Sequence, residues 1–205
     1  IPVSFEPALN MVVRLSLKEP GPRGEPQPHP HYGDQLQNFG VKGLVAAEGN
    51  VNVTWKERSV TLTDGEQVVL RAPEIKLEQL AYGPLGESTL MGARLAPPLV
   101  GMGLLEAVPE ASLLALAQRP PVAGIRGHVN RVWDQSQGKM VVGRFGLKAN
   151  HGSLREQIAA AFIGDIGLST PVYPEQNCPP IQRECKEQLS ADTIIGFNKS
   201  VIASE

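Results

Sequence analysis

Aromatic side chains make up only 5% of the 205 residues, too few to furnish the stacking platforms that bind single-stranded nucleic acid. Lysine and arginine number 19 against 21 aspartates and glutamates, a net charge of −2 at neutral pH. That balance leaves no broad positive field to draw in a phosphate backbone, and no nucleic-acid partner is expected. No apolar run approaches the roughly 18 to 20 residues that cross a bilayer as a helix, so no transmembrane segment is expected. The Gly-x-x-x-x-Gly-Lys-Ser/Thr phosphate loop and the Gly-x-Ser-x-Gly nucleophile elbow are both missing. The chain starts at Ile1-Pro2 with no initiator methionine and no signal-peptide pattern, which reads as a piece of a longer precursor.

Cysteine is equally scarce. Cys178 and Cys185 stand alone in a Pro-rich stretch, too few for a structural zinc site. They do not have the spacing of a redox Cys-x-x-Cys pair, and no Cys-x-x-Cys-His string is present to attach a c-type haem. The expectation is a local disulfide, as in exported proteins, whose short loop would add about 2–3 kcal/mol.

Glycine (21) and proline (18) are plentiful, so short elements separated by turns are expected. Met11 to Leu17 alternates as a strand, and the five prolines between 20 and 31 forbid a helix or a central strand there. Val51, Val53 and Trp55, then Val60 and Leu62, alternate with polar residues, and Asp64-Gly65 supplies a hairpin turn before a returning strand over Gln67 to Arg71. A small antiparallel meander with one buried face follows. After residue 98 the pattern turns helical, over Leu99 to Val108 and Pro109 to Gln118, with Leu113, Leu114 and Leu116 expected in the core. Arg131 to Asp134 and Met140 to Phe145 flank a further hairpin turn. Ser153 and Glu156 form a capping-box pattern opening a helix through Ile158, Ala161 and Phe162. A last helix is expected from about Ser190 or Ala191.

Several strings are more specific than their secondary structure. Arg94-Leu95-Ala96-Pro97-Pro98-Leu99-Val100-Gly101-Met102-Gly103-Leu104-Leu105-Glu106-Ala107-Val108-Pro109 is followed by Gly127-His128-Val129-Asn130-Arg131-Val132-Trp133-Asp134. Gly143-Arg144-Phe145-Gly146-Leu147-Lys148-Ala149 and Ser153-Leu154-Arg155-Glu156-Gln157 come next, leading to Asp165-Ile166-Gly167. Upstream, Arg14-Leu15-Ser16, Tyr32-Gly33-Asp34-Gln35-Leu36-Gln37 and Leu70-Arg71-Ala72-Pro73 stand in matching order. The series resembles the di-haem oxidoreductase family, a group also labelled thiol oxidoreductases and similar to bacterial di-haem cytochrome c peroxidases. Members carry one haem attachment motif before the matched region and another after it. The resemblance thus implies a central stretch between two haem domains, in a periplasmic, cell-surface or secreted protein. It implies haem c in the parent protein, with none covalently held by this chain. One departure stands out: the family's Gly-Arg-Phe-Gly string is usually followed by Trp, whereas Leu147 occupies that place.

An iron ligand must be a His, Met, Tyr or Cys side chain. Met102, between two glycines where a side chain can approach a flat ring, and His128 lie inside the matched strings. Both are candidate haem contacts, set against core packing for the Met and a hydrogen-bonded loop role for the His. Weighed below them are His29, His31, Tyr32, Met140 and His151. Arg94, Arg131 and Arg144 could fork onto haem propionates or form salt bridges with Asp134, Asp165 or Glu106. Trp133 is an aromatic candidate beside them. Asn130 and Asp134 offer two oxygens, far short of a calcium shell, and His29-Pro30-His31 sits in a Pro-rich loop with no carboxylate cluster. No metal site is therefore expected.

The expected fold is α+β, a small antiparallel sheet with several short helices and long Pro/Gly loops. Residues 1–205 are expected to form one central module, 1–92 mainly strands and loops and 93–205 mainly helices. Its expected role is to position flanking haem domains of the same polypeptide, with a redox partner protein for the assembly and no activity of the isolated segment. The alternative is a non-catalytic structural or interaction module that reuses the family fold.

Overall fold

A computed structural model describes residues 11–40, 45–96, 98 and 100–188. Its elements in chain order are β1 (Met11–Leu17), β2 (Gln35–Leu36), β3 (Asn50–Thr61), β4 (Gln67–Glu78), β5 (Thr89–Leu95), α1 (Met102–Ala107), α2 (Glu110–Ala117), β6 (Arg131–Asp134), β7 (Lys139–Val142), α3 (Leu154–Ile166) and α4 (Arg183–Gln188). Antiparallel sheets and short helices make this an α+β fold. The described residues fall into two compact units, one drawn from 11–18, 28–95 and 179–188, the other from 19–27 and 96–178.

In the first unit β1 lies between β2 and β5, antiparallel to both. Alternation sends Val13 and Leu15 to one face, where they meet Tyr32 and Leu36. Val51, Leu77, Leu80, Tyr82 and Leu85 close over that cluster. The anticipated meander is instead one long hairpin of β3 and β4, separate from the three-stranded sheet. Its turn falls at Asp64-Gly65, where Gly65 takes a φ of 87° and the Leu62 amide donates to the Glu66 carbonyl (2.8 Å). The return strand runs to Glu78, beyond the expected Arg71, because its register with β3 continues to Asn50. Only the base of the hairpin has a buried face: Val53 is buried, whereas Trp55, Val69 and Leu70 are exposed.

The second unit holds α1, α2, the β6–β7 hairpin and α3. The hairpin turns at 135–138, and Ser153 Oγ accepts the Glu156 amide at 3.2 Å to cap α3, both as the residues predict. The leucines of α1 and α2 differ from expectation: neither helix has a buried residue, Leu113 and Leu114 are half-buried, and Leu116 is exposed. Helices of six and eight residues with Leu and Ala on every side have no polar face that would set a buried stripe opposite it. Pro109 sits one position earlier than expected, at the N-cap of α2. Helix α4 lies where only a loop was expected, and the helix expected from Ser190 falls outside the described residues. Cys178 and Cys185 are disulfide-bonded.

Candidate functional site

The recognisable strings of the second unit converge physically around α1. Arg144, just beyond β7, donates through Nη1 to the carbonyls of Glu106 (2.9 Å), Leu105 (3.3 Å) and Val108. A cation on the orphan carbonyls at a helix C-terminus satisfies them and opposes the negative end of the helix dipole. Glu106 in turn accepts the Leu154 amide at 2.8 Å through Oε1, tying α1 to the first turn of α3. Gly143 lets this happen: a Cβ there would lie 1.8 Å from the Ala149 carbonyl oxygen. The Gly143 amide meanwhile donates to the Asn130 carbonyl (2.8 Å), and the Asn130 side chain donates to the carbonyls of Ala149 (3.1 Å) and Lys148 (3.2 Å).

Beneath this clamp lie two buried carboxylates that sequence reasoning passed over or misassigned. Glu156, 2% exposed, accepts the amides of Gln135 (2.9 Å) and Gly152 (3.1 Å) and the Tyr173 hydroxyl (3.4 Å). His151 Nδ1 stands 3.8 Å from the same carboxylate. Asp134, fully buried, accepts from Ser136 Oγ (2.6 Å) and from the amide and side chain of Gln137 (both 2.9 Å). Burial by itself raises its carboxyl, but these donors and Ser153 hold it below the usual aspartate range. Both oxygens accept hydrogen bonds within their own turn. Only the Ser-x-x-Glu spacing pointed to Glu156, and it pointed to a cap rather than a buried hub.

Met102 is half-buried at the first position of α1, after Gly101 in the left-handed region. His128 is exposed in the loop before β6, and Arg131 is exposed at the start of that strand. Trp133 is half-buried on β6; its Nε1 donates to Gln135 (3.1 Å), and the Arg23 guanidinium lies over its ring at 4.1 Å. Arg94 belongs to the first unit, on β5 opposite Val12. Burial, and secondarily the charge of Arg14, lowers its guanidinium from the usual value. The structure therefore gathers Met102 and Arg144 at the two ends of α1.

The first unit holds a polar network of its own. His29 Nδ1 accepts the His31 amide (3.0 Å), so the ring proton is on Nε2 and is donated to the Leu85 carbonyl (3.1 Å). His31 Nδ1 is 3.0 Å from the Tyr82 carbonyl, and the Tyr32 hydroxyl donates to Gly83 (2.5 Å) while accepting the Tyr82 amide (2.9 Å). Gln182 donates to the His31 carbonyl (2.9 Å) and to buried Glu48, which also accepts the Gln37 amide (2.8 Å). His29-Pro30-His31 is thus a hydrogen-bonded turn with His29 buried, His31 half-buried and Pro30 exposed, and its imidazoles hold the backbone. Among the described residues, no group of three or more His, Cys, Asp or Glu is arranged to hold a metal ion.

The donors fit a haem edge in kind. A thioether at the start of α1 and an exposed imidazole at His128 are side chains of the types that ligate haem iron. Val100 and Leu104 beside Met102, 93% and 79% exposed, are apolar enough to cover a porphyrin face. Covalent attachment does not fit, because the Cys-x-x-Cys-His string is missing. A family model described as "Di-haem oxidoreductase, putative peroxidase" matches residues 18–182. No curated protein and no solved structure matches the chain.

Proposed function

The chain belongs to the di-haem oxidoreductase family, and from that premise we propose that it is the central, haem-attachment-free segment of an exported di-haem c-type cytochrome oxidoreductase. In this reading it positions flanking haem domains of the same polypeptide for peroxidase-like electron transfer, and the assembly exchanges electrons with a redox partner protein. One observation carries it: the family match runs over most of the chain, while all 205 residues lack a haem attachment motif. Haem, when bound, supplies one-electron chemistry at its iron.

The chain's own residues bind and orient. Met102 and His128 offer the thioether and imidazole contacts. Arg94 and Arg131 offer forked donors to propionates, and Trp133 adds a flat aromatic surface. Arg144 acts as a positioning residue, fixing the far end of the helix that starts at Met102. The disulfide agrees with an exported, periplasmic or cell-surface setting.

A second reading, a non-catalytic docking module, is favoured by Leu147, an exposed aliphatic residue where the family pattern has Trp. Oxidised and reduced visible spectra of the longer protein, made in cells that attach c-type haem, separate the two. Two haems per chain, with the low-spin bands or potential altered by Met102→Ala or His128→Ala, support the first reading. Spectra unchanged in both variants remove the ligand roles, and a protein without haem leaves the docking module.

A further inference from the structure

The β3–β4 ribbon reverses its apolar face half-way along. Register pairs Val51 with Leu77 and Val53 with Ile75, which places these four on one face. Val53 is buried, and Val51 and Leu77 pack on the core of the first unit. The opposite face is polar at this end, with Asn50, Asn52, Thr54 and Lys56 facing Glu78, Lys76, Glu74 and Ala72. Beyond Lys56 the pattern inverts. The first face now carries Glu57, Ser59 and Thr61 with Arg71 and Gln67, and Val69 as its single aliphatic. The second becomes apolar at half-buried Val60, its partner Val68, and Leu70, which is 53% exposed. A two-stranded ribbon alone is marginal in water, and its outer half presents aliphatic side chains to solvent.

Charge frames that outer face asymmetrically. Glu57 faces Arg71 in register and Lys56 pairs with Glu74 at 2.5 Å, so those charges are matched within the ribbon. Glu66, two residues from Val68, extends the apolar face toward the turn, where its carbonyl accepts the Leu62 amide and its own amide donates to Asp64 (3.1 Å). Arg58, two residues from Val60, lies on the same face toward the base. The acid thus stands at the turn end of the aliphatic patch, and the base at its other end, opposite Leu70. Turned end for end, that surface complements itself, as an isologous two-fold interface requires. Pro73 has no N–H for an added strand on β4, so that edge of the ribbon is interrupted and a face is the better contact.

We propose that the outer half of this ribbon is a homodimer interface, in which Val60, Val68 and Leu70 pack on the same residues of a second copy while each Glu66 meets the partner's Arg58. Sedimentation velocity of the full chain across the micromolar range tests it. A dimer is expected, with Leu70→Asp raising its Kd at least about tenfold. Arg58→Glu and Glu66→Arg should each weaken it comparably by setting like charges together. An equimolar mixture of those two variants should recover dimer, since one copy then presents two acids to two arginines. That mixture still decides the matter if Leu70→Asp fails to fold. A wild type that stays monomeric gives the face to a different protein and overturns the proposal. So does a dimer indifferent to Leu70→Asp, or a mixture no tighter than its components.

Discussion

Glu48 in the first unit and Asp134 in the second are both buried carboxylates, yet their surroundings drive them in opposite directions. Burial pushes the Glu48 carboxyl above its ordinary range, and the two donors that reach it, the Gln37 amide and the Gln182 side chain, only partly oppose that. Asp134 is desolvated too, but Ser136, Ser153 and both donors of Gln137 outweigh that. The balance between desolvation and the donors aimed at the charge decides the outcome, and Asp134 has the larger set of donors. The second unit uses its buried polar side chains to fix turns around α1 while Val100, Leu104, Val122 and Ile125 stay outside. The first unit instead assembles an apolar cluster and adds its polar network beside it.

The sharpest break in that comparison comes from Glu156. Replacing it with Ala strands the part-buried backbone amides of Gln135 and Gly152 and should cost about 2–3 kcal/mol in a urea titration. Leu15→Ala, in the apolar cluster, should cost a similar amount, about 2–4 kcal/mol, by leaving a cavity. If Glu156→Ala falls within a few tenths of wild type, the second unit is not held by its buried polar side chains.

Sequence legibility follows the same division. β1, the Asp64-Gly65 turn, the β6–β7 hairpin and the Ser153 cap are set by residues within a few positions of one another, and each was readable. The Gln182–Glu48 contact joins residues 134 apart, and no local pattern announces it. Helix α4 shares that difficulty: a disulfide at Cys185 and the Gln182 contacts hold a segment whose prolines read as loop. Arg144 stood out in the sequence as a cation within the recognisable strings, but not as a helix clamp, because its three carbonyls lie 36 to 39 residues earlier.

That clamp supplies the next test. Lysine keeps the charge, but its shorter, freely rotating stem does not bring a donor to where the rigid guanidinium holds Nη1 among the three carbonyls, so Arg144→Lys should cost about 1–2 kcal/mol. The loss should appear first as faster amide exchange at Leu105 and Val108, whose amides close α1 on the Gly101 and Leu105 carbonyls. In the haem-loaded parent protein the same variant should shift any spectral signature that depends on Met102, which separates positioning from mere stability. Unaltered exchange across 101–108 would show that α1 needs no clamp.

The smallest effect bears most directly on the two carboxylates. A depressed acid such as Asp134 contributes stability that is present above its unfolded value of about 3.9 and is lost as pH falls through its folded value. A raised acid such as Glu48 does the reverse. Its contribution is greatest below its unfolded value of about 4.3 and is lost as pH rises from there through the folded value. The Gln137 and Gln37 amides each donate to one of these carboxylates, so their proton shifts report the two titrations separately. The Gln137 step should fall below the ordinary aspartate range and the Gln37 step above the ordinary glutamate range. Glu48→Gln should abolish the step at Gln37 and leave that at Gln137 in place. Coincident midpoints at ordinary values would mean that the balance of donors against desolvation does not set the sign, and the contrast between the units would reduce to their apolar packing.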